Sequence, residues 1–550
     1  MRVVAAALFA VVGLAAGAFA QSVSLEVVAL APDQRAPSTP AAVHYTGLSS
    51  PQVSPGGQVL YGANFQGPGF SGDGIYSSRD AQSTLVVRSD TAAPGTSGPA
   101  RFVDPLWQTP LATGDDQVAF TSHLTGNGVT PDNDLGLWWG KAGSLELLAR
   151  TGGPLPGLPP GTLPVGLDLV GWNDNGQFLF HAPLEGPGVG STNDSAYWRA
   201  TGTNVEPLVR TGQPAPELGP GVTFRLLASQ DFAFNEQGQA AFVGRVMGPG
   251  ITATFDDRGI WVGEPGNLQL VARSREQAPG APPGVFFQMG FLESLSTPSL
   301  SPTGELAFRS SLVGAGVAVE NPSAIFQGTP GNLQMIARLG DAAPGLPAGV
   351  HFADFGSAWG PLAIAGGQTL FESQVLGHGV TIDTMRAVWL GSPSGIELVL
   401  RTGDSIEGVP DGHWGSAISP SVNALGQIAM FGDVVFPNDT RAGLFVRDVA
   451  GAWTKIAMVG DTVEVAPGDL RVVKELWPPG NQFNERGDLV FRAHFTDFTE
   501  AVLLAHVPEP PAWALLAIGA ASLMSIRRRG KRGRGRSDAR RSQSADYSPQ

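Results

Sequence analysis

Short apolar runs that close on an aromatic or bulky residue recur along this chain, set off by Gly, Pro, Asn and Asp. One series is Leu60-Tyr61, Ala119-Phe120, Leu179-Phe180, Ala241-Phe242, Ala307-Phe308, Leu370-Phe371, Ala429-Met430 and Val490-Phe491. A second follows each of these, as at Leu137-Trp138, Tyr197-Trp198, Ile260-Trp261 and Val388-Trp389. Runs this short between turn formers read as β-strands. A third run, such as Leu145 to Arg150, and a fourth opening near Phe224, Phe286 or Phe352 bring the unit to four strands. We call the strand before the turn A and the three after it B, C and D.

The turn between A and B carries the clearest polar signature. It reads Asn173…Gly176, Asn235…Gly238, Ser301…Gly304, Asn423…Gly426 and Asn484…Gly487, with Ser54…Gly57 and weaker copies at Thr113…Asp116 and Ile364…Gly367. Asn or Ser first and Gly fourth fits a type I turn, because the short side chain caps the backbone and Gly accepts the exit conformation. Successive turns begin 59, 60, 62, 66, 63, 59 and 61 residues apart. That period exceeds the ~40–50 of common propeller repeats, is below the ~100 of an immunoglobulin-like sandwich and is too long for a β-solenoid coil of ~20–30. The expected fold is all-β: an eight-bladed β-propeller with four-stranded blades.

The phase of the repeat predicts how the ring closes. After residue 20 the chain opens on a lone D-like strand, Leu25 to Leu30, and it ends the repeats on a C-like strand, Ala501 to Ala505, with no D after it. The N-terminal strand should therefore complete the last blade and leave no open sheet edge inside the ring. The D-to-A connectors, about a dozen residues rich in Pro and Gly, are long enough to cross a blade at ~4.8 Å per strand.

Composition sharpens this picture without supplying an activity. There is no Cys among the 550 residues, so disulfides and thiol chemistry are excluded. Residues 1–20 combine Arg2, an apolar run and Ala18-Phe19-Ala20, the three parts of a secretory signal peptide. The repeats fill 21–506, an anchor segment spans 507–529, and a basic, disordered tail occupies 530–550. Pro511 to Ile526 would reach only ~24 Å as a helix against a ~30 Å hydrocarbon core, with Trp513 and snorkelling arginines covering the remainder. The nine Lys/Arg from Arg527 to Arg541 place the tail in the cytoplasm and the repeats outside. Without both ends the body keeps 24 basic and 45 acidic residues, a net charge near −21 that repels nucleic acid and anionic lipid.

Val507-Pro508-Glu509-Pro510, a short apolar helix and Arg527-Arg528-Arg529 resemble the PEP-CTERM sorting signal of Gram-negative bacteria. The unit Asn235, Gly238, Ala241 and Phe242 resembles the NxxGxxAF tandem-repeat proteins that carry such anchors. The resemblance implies export, a helix held in the inner membrane before processing, handling by an exosortase and delivery to the cell envelope or extracellular matrix. The run beyond the arginines to Gln550 departs from that pattern.

The longer B–C and D–A loops, which share one face, are the expected place for chemistry. Asp132 with Asp134, and Asp256 with Asp257, are the candidate oxygen ligands of a calcium ion, the one cofactor expected, if any. The competing reading is Asx-turns before strand C. Arg88, Arg150, Arg210, Arg273, Arg338 and Arg401 end six D strands, a recurrence that points to a structural role. No nucleophile elbow, His-Glu-x-x-His or phosphate loop occurs, and the eight His share no repeat phase. The sequence thus assigns no catalytic residue. It favours a non-enzymatic surface or matrix binding protein, with exopolysaccharide a partner, over a polysaccharide lyase or hydrolase with its site at the channel mouth on the long-loop face.

Overall fold

A computed structural model describes residues 23–507 except 50, 55, 81, 97, 107, 114–115, 174, 290–297, 319–321, 356–361 and 478–482. The expected signal peptide and everything from Pro508 onward, including Glu509, Pro510, Arg527, Arg528, Arg529 and the expected membrane helix, lie outside the described residues. Among those described, no helix is long and apolar enough to cross a membrane.

The chain forms eight antiparallel sheets, each built on four strands hydrogen-bonded in the order A, B, C, D. The fourth is representative, with strands Thr223–Phe234, Ala240–Met247, Arg258–Glu264 and Asn267–Arg273. In the eighth, Asp469–Trp477, Asp488–Phe495 and Glu500–His506 are completed by the N-terminal Ser24–Ala31. Leu25 pairs with Ala505 and Leu30 with Ala501, the closure predicted from the repeat phase. Neighbouring A strands touch around the ring, so A is the inner strand of each blade.

Side chains alternate between the two faces of a strand, so each blade has an apolar face toward each neighbour. The core is accordingly eight wedges, one between each successive pair of blades. The wedge between blades 4 and 5 contains Ala241, Ile260, Phe287, Phe308 and Phe326; the wedge at the seam contains Val28, Ala29, Tyr45, Val490 and Val502. Within blade 4, Phe224 meets Trp261 edge-on at 4.9 Å. The Trp261 indole N–H also donates to the Pro216 carbonyl of the incoming connector at 3.3 Å. Trp138, Trp198 and Trp389 hold Pro94, Pro156 and Pro344 in the same way at 3.0 Å. Gly259 is required beneath such a ring, because a Cβ there would lie 2.8 Å from Trp261.

The A–B turns are chained together. Asn235 Oδ1 accepts the Gln237 and Gln239 N–H groups at 3.1 and 2.9 Å, and its Nδ2 donates to Ser301 O of the next blade at 3.0 Å. Asn173 reaches Asn235 O at 2.8 Å and Asn423 reaches Asn484 O at 3.1 Å. Asn484 crosses the seam to Ser54 O at 2.8 Å. Gly176, Gly238, Gly304, Gly426 and Gly487 all take φ between +72° and +88°, the left-handed conformation that follows a type I turn in a three-residue hairpin loop. Blade 6 departs from the expected Ile364…Gly367 turn. Ala365 pairs with Gln368, so the loop is Gly366-Gly367 with φ of +56° and +73°, a two-residue primed turn that two adjacent glycines favour.

Candidate functional site

Every A strand uses more residues than its partner B to cover the same height. In blade 5, Gln288 pairs with Ser311 and Ser299 with Ala307, so eleven steps along A face four along B. In blade 6 the pairs are Asp354 with Gln374 and Ala363 with Leu370; in blade 2, Phe102 with Leu124 and Leu111 with Ala119. The surplus falls at a common level around the ring, next to the B-strand residue that follows each repeat aromatic, or Met430 in blade 7. That position holds Gly62, Thr121, His181, Val243, Arg309, Glu372, Phe431 and Arg492. The irregular pairing beside this level leaves room for polar side chains, and three blades use it for ionisable groups in contact; His181 and Arg492 themselves pair with Asp168 and Trp477 on A.

In blade 3, Asp168 on A lies opposite His181 on B, and the His181 ring reaches diagonally to Ser195 on C, so that the three form one hydrogen-bonded row. His181 Nδ1 lies 3.0 Å from Asp168 Oδ2 and Nε2 lies 2.9 Å from Ser195 Oγ. In blade 6, Glu372 is only 10% exposed and its Oε1 lies 3.8 Å from an Arg386 guanidinium nitrogen. Burial raises its pKa to about 7, Asp354 adds to the shift and Arg386 opposes it. In blade 8, His494 Nε2 is 2.7 Å from Glu500 Oε2, while Glu475 lies 3.9 Å from its Nδ1. Arg492 donates to Leu48 O of blade 1 and stands 4.9 Å from the centre of the Trp477 ring. Trp477, 45% exposed, is the one exposed tryptophan among the described residues.

Of the arginines singled out from the sequence, four hold a loop of their own blade. Arg150 donates to Asn133 O and Oδ1 at 2.5 and 2.9 Å, Arg210 to Asn193 O, Arg273 to Asp256 O and Oδ2, and Arg401 to Thr384 O. Each arginine therefore clamps the B–C loop of its own blade. Arg88 instead lies over the Phe70 ring. Of the calcium candidates, Asp257 is buried against Arg245, 2.5 Å away, and Asp256 is paired with Arg273 while accepting the Thr252 N–H at 2.6 Å. These two carboxylates are neutralised by arginine, and Asp256 makes the turn contact of the competing reading. Asp132 and Asp134 meet their neighbours through backbone: the Asp134 carbonyl accepts from Leu124 N at 2.6 Å, and Gly152 packs on the Asp132 carbonyl. Among the described residues no group of three or more His, Asp or Glu is arranged to hold a metal.

A cavity lies at the opposite end from the expected mouth. A space of about 450 Å³ is walled by Val53, Trp172, Phe234, Leu300, Ile364, Val422 and Phe483, all just before the A–B turns, with Asn173, Glu236, Asn484 and Glu485 on its rim. Turn residues thus encircle an apolar channel end, and burial raises the Glu485 pKa while its carboxylate accepts the Ala424 N–H at 2.6 Å. Reasoning from loop length missed this because apolar residues at the end of A face the axis as well as the wedges. It missed the blade 3, 6 and 8 groups because they assemble across strands; the signal available was a polar residue directly after the repeat aromatic.

Comparison with solved structures finds distant likenesses. The β-propeller domain of the trilobed protease from Pyrococcus furiosus is 10% identical, with a TM-score of 0.35 over 75% of this chain and 98% of that one. The polysaccharide lyase Uly1 is 10% identical with a TM-score of 0.35, over 72% and 89%. The acylaminoacyl peptidase of Pyrococcus horikoshii is 10% identical with a TM-score of 0.33, covering 74% of this chain, which spans about half (52%) of that one. These are too distant to bear on activity. Comparison with curated proteins finds no match. Residues 14–390 and 361–514 match the model of a Family of unknown function (DUF7453), and the chain belongs to that family.

Proposed function

We propose that this is an exported propeller, sorted to the cell envelope, that binds polysaccharide at the seam between its last and first blades without cleaving it. The observation that carries this reading is the Trp477 group. An exposed indole offers a flat apolar face for the C–H side of a sugar ring, while Arg492, His494 and Glu475 supply donors and acceptors for hydroxyls beside it. Export is supported by the signal-peptide pattern of residues 1–20 and by Val507-Pro508-Glu509-Pro510 ahead of Arg527-Arg528-Arg529. The net charge near −21 of the body favours a neutral glycan over a polyanion.

Binding of neutral polysaccharides by the full chain should weaken at least tenfold in Trp477→Ala, with the melting temperature unchanged and the polymer recovered at its original length. Equal binding by wild type and Trp477→Ala would overturn the reading. A second reading, a polysaccharide hydrolase or lyase, is favoured by the close His494–Glu500 contact beside Glu475, since paired acid and base groups are what such chemistry uses. Shortening of the polymer, abolished by His494→Gln, would select it.

A further inference from the structure

The row in blade 3 has the arrangement of a nucleophile, its base and the group that orients the base. Asp168 accepts from Nδ1–H of His181, which leaves Nε2 bare toward the Ser195 hydroxyl at 2.9 Å. Asp168 is itself fixed from the neighbouring blade. Gln108 donates from Nε2 to Asp168 Oδ1 and to Leu167 O, both at 3.0 Å, and accepts the Leu169 N–H at 2.9 Å. The His181 side chain is 9% exposed and packs 4.7 Å from the Tyr197 ring, whereas Asp168 is 53% exposed and Ser195 half-buried, so a buried imidazole joins two groups that reach toward solvent. A scaffold contact would recur, as the turn asparagines and the arginine clamps do. The positions equivalent to His181 and Ser195 are instead Val243 and Arg258 in blade 4, Arg309 and Ser323 in blade 5, and Glu372 and Arg386 in blade 6.

The geometry points to Ser195, His181 and Asp168 as a hydrolytic site for carboxylic esters. Ser195 Oγ adds to the ester carbonyl as its proton passes to His181 Nε2. The imidazolium, held by Asp168, returns that proton to the departing alkoxide, so an alcohol leaves and an acyl-serine remains. Water then attacks the acyl-serine, giving a proton to His181; the carboxylic acid leaves and Ser195 regains its proton. Acyl groups carried on sugar hydroxyls are the natural substrate class, a clause that rests on the glycan reading above; the ester chemistry does not.

The full chain tests this with p-nitrophenyl acetate and with a fluorophosphonate probe. Wild type should hydrolyse the ester at least a hundredfold faster than Ser195→Ala or His181→Gln, and the probe should be found by mass spectrometry on Ser195. Asp168→Asn should lower the rate by up to about 10⁴, as loss of the orienting carboxylate does in serine hydrolases. Ser323→Ala, at the equivalent position of blade 5, should leave the rate unchanged. Ser195→Ala removes one oxygen from a partly exposed side chain, so it keeps the test sound if His181→Gln fails to fold. Wild type no faster than folded Ser195→Ala, or a probe adduct elsewhere, overturns the assignment, and polysaccharide binding retained in that case shows that the glycan reading survives it.

Discussion

Two levels of the ring obey opposite rules. At the A–B turns nearly every blade repeats Asn or Ser and Gly, and the same amide links one blade to the next. At the level where strand A carries surplus residues, the position after each aromatic holds Gly, Thr, His, Val, Arg, Glu, Phe or Arg. A position under a shared geometric demand converges on one solution, whereas a position beside the irregular stretch of strand A drifts or acquires a local use. In this chain, repetition marks the scaffold and its failure marks where chemistry can reside.

The sharpest way to break that contrast is to remove a repeated amide at the seam. Asn484 donates to Ser54 O and to Asp488 Oδ2, and accepts the Arg486 and Asp488 N–H groups, all in a buried setting. Asn484→Ala strands those groups and should cost about 3 kcal/mol, since each buried polar group left unpaired costs about 1–3 kcal/mol. For a chain this size that is a drop of roughly 3 °C in melting temperature. Asn484→Ser should lose about half as much, because Ser301 in blade 5 already caps its turn through the Glu305 N–H at 2.9 Å. A silent Asn484→Ala would mean that the wedges alone close the ring.

The same contrast explains what the sequence made legible. The Asn turns, the aromatic pairs and the closure by Leu25 to Leu30 follow from the local pattern of the repeat and its phase, and each was found where the repeat put it. The loop of blade 6 lies one residue away from its expected place because Gly366-Gly367 can form a tighter turn than the shared motif. Arg273 and its counterparts could be read as structural from recurrence alone, although their partners, the carbonyls seventeen residues back, required the structure. The Asp168, His181 and Ser195 row was invisible, since three strands and two loops separate residues that the sheet brings within hydrogen-bonding distance. The apolar channel end was missed because Trp172, Leu300 and Phe483 look in sequence like any other buried strand residues.

Glu372 tests the unrepeated level through pH. Its pKa is raised to about 7 in the folded protein from 4.5, chiefly by burial. Between those values the folded chain holds a proton that the unfolded chain has released. The stability this contributes is complete below pH 4.5 and is lost as pH rises through 7, by about 3 kcal/mol at most. Glu372→Gln, always neutral, should melt with wild type near pH 4.5 and up to roughly 3 °C above it at pH 8. A gap that does not change between those pH values would show that the carboxylate is charged throughout, with Arg386 outweighing burial.

The smallest effect expected is at a clamp that recurs yet faces solvent. Arg273 holds Asp256 through two donors, to the carbonyl at 3.0 Å and to the carboxylate at 3.2 Å, with about a fifth of each side chain exposed. Arg273→Ala should cost about 1 kcal/mol, within the range of partly exposed charged hydrogen bonds, and move the melting temperature by only about 1 °C. Its stronger readout is local: amide exchange across residues 252–257 should speed up while the strands of blade 4 stay protected. Arg273→Lys should restore little, because one ammonium cannot reproduce the guanidinium fork. The variant also frees Asp256 for the alternative reading of that loop. Calcium that slowed exchange in wild type would show the carboxylates acting as ligands despite their arginines; calcium without effect in wild type and Arg273→Ala alike would assign the loop to the scaffold, with the other positions the repeat preserves.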